Sequence, residues 1–106
     1  MERICFHLRV RPELMDEYRR RHAAVWPEMQ DALRATGWRN YSLFLADDGL
    51  LTGYLECEDF DESVRAMGRL EVNTRWQAEM ASFFEDIAGE QPDQAARPVP
   101  EIFHID

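Results

Sequence analysis

At the centre of the chain, two alternating runs meet across a tight turn. Asn40 to Ala46 (N-Y-S-L-F-L-A) and Leu50 to Cys57 (L-L-T-G-Y-L-E-C) flank Asp47-Asp48-Gly49. An Asp-Gly step between two such runs is a strong hairpin signal, because it supplies the left-handed backbone that a compact turn requires. The pairing predicts an antiparallel sheet. Within the first run Tyr41, Leu43 and Leu45 share one face, while Ser42 and Phe44 share the other.

The rest of the chain supplies two more strands and two helical segments. Glu2 to Val10 alternates with period two, placing Ile4, Phe6, Leu8 and Val10 on one face and Cys5, His7 and Arg9 on the other. Pro12 suits a helix start, and Glu13, Asp16 and Glu17 complement its positive end. That helix is expected to run to about Thr36, with Gly37 as its stop and a kink near Val25-Trp26 imposed by Pro27. Asp59 or Asp61 caps a second helical region, read as a short helix to Met67 and a longer one carrying Trp76, Met80, Phe83, Phe84 and Ile87. Gly89 to Pro100 reads as a polar loop, and Glu101 to Ile105 (E-I-F-H-I) as a closing strand. The order β-α-β-β-α-β predicts an α+β, ferredoxin-like fold over residues 1–106 as a single domain. Helices cover one face of such a sheet. Pairing two open faces into a homodimer, in the manner of a dimeric α/β barrel, is the expected solution for the other.

Charge and composition remove several functional classes. A formal charge of -9 argues against a nucleic-acid partner. Arg19, Arg20 and Arg21 fan around the helix surface within reach of Asp16 and Glu17, so they read as a solvated face. No run is apolar enough to span a membrane, and no signal peptide is evident. Cys5 and Cys57 lack C-x-x-C spacing, which with the missing signal suggests a reducing cytoplasm. His7 and His104 approach each other if the first and last strands pair, but no metal-binding motif accompanies them, and no metal site is expected.

Chemistry concentrates on the first helix. Leu14, Tyr18, His22, Trp26, Met29 and Leu33 recur at helical spacing, so a phenol, an imidazole and an indole occupy the middle of a stripe that is ordinarily aliphatic. His22 is the member able to give and take a proton near neutral pH. A histidine on a helix face is more often a hydrogen-bonded core or rim residue than a catalyst, and an aromatic stripe is more often core than a binding site. Against that stands the pocket chemistry: aromatic faces stack on sugar C–H patches, while phenols, amides and indole N–H groups bond sugar hydroxyls. The stripe carries no arginine for an anionic substrate, which favours a neutral polyol.

Tyr18-x3-His22-x3-Trp26-Pro27-Glu28, followed by Gly37, Asn40-Tyr41 and Arg75-Trp76, resembles the L-rhamnose mutarotase family along essentially the whole chain. The resemblance implies interconversion of the α and β anomers of a 6-deoxy-hexopyranose without metal or organic cofactor. It implies His22 as the acid/base residue and Tyr18, Tyr41 and Trp76 as substrate contacts. The family pattern has a second Trp where this chain has Gln77, a departure that bears on the choice of sugar. L-Rhamnose is the first expectation and L-fucose the second. Other readings of the same fold are a cofactor-free or haem-using small monooxygenase and a non-catalytic sugar-binding dimer.

Overall fold

Residues 1–106 are described by a computed structural model. In chain order the elements are β1 (Glu2–Arg9), α1 (Met15–His22), α2 (Pro27–Ala35), β2 (Arg39–Leu45), β3 (Leu50–Cys57), α3 (Phe60–Gly68), α4 (Glu71–Met80), α5 (Pro92–Ala95) and β4 (Arg97–Pro98). Single 3-10 turns, Pro12–Leu14 and Ala81–Phe83, precede α1 and follow α4. The sheet is four-stranded and antiparallel in the order β2-β3-β1-β4. This is the expected α+β, ferredoxin-like arrangement. No helix is long and apolar enough to cross a membrane.

The hairpin turn closes on Gly49, whose φ of 95° only glycine adopts without strain. Along β3, Leu51, Gly53, Leu55 and Cys57 are buried against the helices, and Thr52, Tyr54 and Glu56 face the other way. Gly53 lies opposite Phe6, and a Cβ there would overlap the Phe6 ring. The missing side chain is therefore what lets that ring lie across the strand. Val10, Leu51, Tyr18, Met29, Met67, Met80, Phe83 and Phe84 are among the residues that pack as the core between sheet and helices.

Three boundaries differ from expectation, each for a physical reason, and the stretch from Gly89 to Pro100 read as a loop holds α5, started by Pro92, and β4. Pro27 does not kink a continuous helix; it starts a new one. The residue before a proline is pushed out of the helical region, and Trp26 sits at φ -53° and ψ 132°. Ala23–Trp26 therefore form a break. The second helical region ends at Met80 rather than near Ala88. Phe84 is extended and bridges Val10, Glu85 N–H donates to the Arg9 carbonyl, and Asp86 and Ala88 have positive φ. Burying Phe83 and Phe84 side by side against the sheet wins over continuing the helix. The closing strand is Arg97–Pro98, not Glu101–Ile105: the ladder to β1 ends where the Val99 N–H donates to the Cys5 carbonyl. Pro98 and Pro100 lack the N–H that would extend it.

Other expectations match. Gly37, at φ 96°, terminates α2 through bonds from Trp38 N–H to the Leu33 carbonyl and from Gly37 N–H to the Arg34 carbonyl. Asp59 caps α3 by accepting from Glu62 N–H. Arg19 pairs with Asp16, Arg20 and Arg21 share Glu17, and Arg21 also reaches Glu79, all on the exposed surface. Cys5 and Cys57 are free, and burial pushes the Cys57 thiol above its ordinary pKa, away from thiolate reactivity. One expectation fails here: the first and last strands pair, but His104 lies beyond β4 against Arg3 and Asp106, and His7 is opposite Arg97 and Thr52, so the two histidines do not meet.

Candidate active site

A cavity of about 550 Å³ lies between the inner face of the sheet and the helices, within the ~300–1,000 Å³ of small-molecule pockets. Tyr18, His22, Tyr41, Trp76 and Gln77, the five residues singled out in the sequence, all line it. The break after α1 contributes Ala23, Ala24 and Val25 to the same wall. The interruption at Pro27 thus shapes the cavity directly.

His22 is the last residue of α1 and is half-buried. Its Nδ1 lies 2.9 Å from the Tyr18 carbonyl oxygen. A carbonyl only accepts, so the proton sits on Nδ1 and the Nε2 lone pair is left as the acceptor. Burial lowers the His22 pKa from its ordinary 6.5, opposed by that same hydrogen bond, which favours the charged form. The imidazole is therefore neutral at neutral pH and poised to take a proton at Nε2.

Aromatic neighbours fix the ring. Tyr18 stacks on it at 4.1 Å between centroids and 27° between planes, and Trp76 meets it edge-on at 5.6 Å and 79°. Trp26 does not line the cavity. It packs edge-on against Trp76 at 5.0 Å, and the Arg75 guanidinium covers its ring at 5.5 Å while pairing with Glu28 at 3.8 Å. The W-P-E run thus braces Trp76 from behind. Tyr18 and Tyr41 are held as neutral phenols, because burial pushes both pKa values well up, with the Asp93 carboxylate adding to the effect at Tyr41.

Gln77 is nine-tenths buried and its amide is engaged at both ends. Nε2 donates to Asn73 Oδ1 at 3.1 Å, and Oε1 accepts from the Asp93 N–H at 3.1 Å. Asn73 Nδ2 donates in turn to Asp93 Oδ2 at 3.0 Å. Asn73, Asp93 and Trp38 are cavity residues that the sequence reading did not single out. Asn73 stands four residues before Gln77, one turn away on the same helix face, and was accessible to that argument. Asp93 belongs to the stretch read as a polar loop, and nothing local tied it to the site.

The chain matches the family model described as L-rhamnose mutarotase over residues 3–105. It is 39% identical over 110 residues to the L-rhamnose mutarotase of Burkholderia orbicola (strain MC0-3), covering all of both chains. In structure it is similar to the crystal structure of an L-rhamnose mutarotase from Formosa agariphila, with a TM-score of 0.79, 22% identity and full coverage of both chains. It also resembles the tetracenomycin F2 cyclase of Streptomyces glaucescens, a type-II polyketide cyclase, with a TM-score of 0.67, 15% identity and full coverage of both. At those identities the two structural likenesses speak for the fold, which hosts unrelated chemistries. The family is carried by the sequence match, which spans nearly the whole length, and on it the chain belongs to the L-rhamnose mutarotase family.

Proposed function

We propose that this protein is an L-rhamnose mutarotase, an isomerase that exchanges the α and β anomers of a 6-deoxy-hexopyranose by acid/base catalysis at His22. The observation that carries this reading is the neutral His22, its proton fixed on Nδ1, in the wall of a cavity with two phenols and two indoles. Nε2 takes the proton of the anomeric hydroxyl and delivers it to the ring oxygen as the C1–O5 bond breaks. The resulting aldehyde turns about C1–C2 and closes on its other face by the reverse transfers. Tyr18, kept a neutral phenol by burial, donates a hydrogen bond to the sugar while His22 moves the proton. Tyr41 and Trp76 supply a hydroxyl and an apolar face to the ring. Positioned groups of this kind contribute about 10²–10⁴-fold.

The reaction so written needs neither metal nor organic cofactor. L-Rhamnose is the first substrate and L-fucose the second. A cavity wall of phenols, indoles and amides with one carboxylate, Asp93, suits a polyol better than the substrate of a cofactor-free or haem-using oxygenase. The working unit is a homodimer in the cytoplasm. In support of the dimer, Phe44 on the open face of the sheet is 61% exposed, and the tail beyond β4 leaves Ile102, Phe103 and Ile105 at 96%, 76% and 77%.

Saturation-transfer NMR tests the activity. Exchange between the two anomeric signals of L-rhamnose should accelerate on adding protein, with L-fucose slower. No acceleration on either sugar would contradict the assignment, and oxygen consumption or a haem Soret band would favour the oxygenase readings.

A further inference from the structure

Two polar atoms buried beside this cavity have no hydrogen-bond partner: Trp38 Nε1, a donor, and Asp93 Oδ1, an acceptor. Buried polar groups are nearly always paired, so an orphan in a cavity wall marks a place where a ligand atom belongs. Asp93 is also held as a functional carboxylate would be. Its Oδ2 accepts from Asn73 Nδ2, its backbone N–H donates to Gln77 Oε1, and Gln77 Nε2 locks Asn73. Asn73 and Gln77 are 2% and 9% exposed, so a buried amide pair fixes one carboxylate oxygen and leaves the other free. Trp38 is equally constrained, packed against Tyr41 at 5.0 Å and Phe60 at 6.1 Å.

We propose that Asp93 and Trp38 form a second substrate-binding pair, Asp93 Oδ1 accepting from one ring hydroxyl of the sugar and Trp38 Nε1–H donating to another sugar oxygen. The proposal rests on the mutarotase reading and adds to it a hydroxyl-reading subsite apart from the His22–Tyr18 proton-transfer group. An anion would meet the Asp93 carboxylate, and an apolar ring would leave both atoms unpaired. A neutral polyol satisfies the two together.

The test uses a sugar ring that cannot open, 1,5-anhydro-L-rhamnitol, titrated into the protein with tryptophan fluorescence and proton NMR as readouts. Asp93→Asn retains an oxygen for Asn73 but turns an amide nitrogen toward the site, and Trp38→Phe removes the donor while keeping an aromatic, though smaller, ring against Tyr41 and Phe60. Each variant should bind the locked ring about ten-fold more weakly, as expected for a lost hydrogen bond to a buried or charged partner. In anomer exchange each should raise KM to a similar extent and leave kcat within about three-fold, whereas a purely structural role would lower both stability and kcat. Wild-type affinity in both folded variants would overturn the proposal and leave a trapped water as the partner of the orphan atoms. Should Asp93→Asn fail to fold, Trp38→Phe decides the question by the same criterion. A wild-type protein that neither binds the locked ring nor accelerates exchange would overturn the mutarotase reading itself, and this proposal with it.

Discussion

At His22 two opposing influences act on one imidazole. The Tyr18 carbonyl favours the charged ring and burial disfavours it, and burial prevails. A base with a lowered pKa stays neutral, and so active, to lower pH than an ordinary histidine. The enzymatic exchange rate, with the spontaneous rate subtracted, should therefore hold at neutral pH and fall through a midpoint below 6.5. A midpoint at or above 6.5 would contradict the assignment. The same sign applies to stability: the unfolded chain binds this proton more tightly, so the His22 contribution is intact above the ordinary pKa and is lost as pH drops below it. Gln77 yields a second prediction. Gln77→Trp removes both of its hydrogen bonds and leaves Asn73 and Asp93 held by their bond to each other alone, so the rhamnose-to-fucose rate ratio should shift by about ten-fold, the value of one such bond. An unchanged ratio would show that this position does not read the sugar. Tyr18 and His22 were legible because helical spacing puts residues four apart on one face. Asp93 and Trp38 were not, because their place in the wall comes from contacts across distant parts of the chain.

Among the elements, the alternating runs were the easiest to read. β3 occupies the expected Leu50–Cys57, and Gly49 and Gly37 end their elements as turn chemistry requires. Misreadings came where a local pattern had two outcomes. The stripe through Leu33 keeps helical period across Pro27, yet the proline ring forces Trp26 extended and splits the helix. E-I-F-H-I alternates like a strand, but alternation does not supply an edge to pair with, and β4 is closed by Pro98 and Pro100. Gly53 tests the sheet beneath the cavity. Gly53→Ala drives a methyl into the Phe6 ring, and overpacking of this kind costs about 1–3 kcal/mol. Chemical denaturation should show that loss, and much less of it in a Phe6→Leu background, where the clashing ring is absent. Equal losses in both backgrounds would place the cost elsewhere.

At the scale of the molecule, helices cover one sheet face, and the other carries Phe44 beside polar residues, with an apolar tail leaving β4. Sedimentation should give a species of twice the 12.5 kDa chain mass. Phe44→Glu combined with Phe103→Ser should move it toward the monomer; a wild-type monomer at all concentrations would refute the dimer. The surface ion pairs around Arg19–Arg21 are exposed and contribute little to stability, so the acidic character of the chain bears on solubility and partner choice rather than on the fold. The whole-chain architecture was readable because element order alone leaves few topologies, whereas the site needed the fold to bring α1, α4 and the α5 segment to one cavity. The central claim, that a neutral His22 in this cavity moves the proton of ring opening, is tested most directly by anomer exchange. The measurement is saturation-transfer NMR on L-rhamnose with wild type and His22→Ala, both checked for native proton spectra. Acceleration by wild type with a loss of about 10²-fold or more in the folded variant is the predicted result. A folded His22→Ala that exchanges anomers as fast as wild type would contradict it.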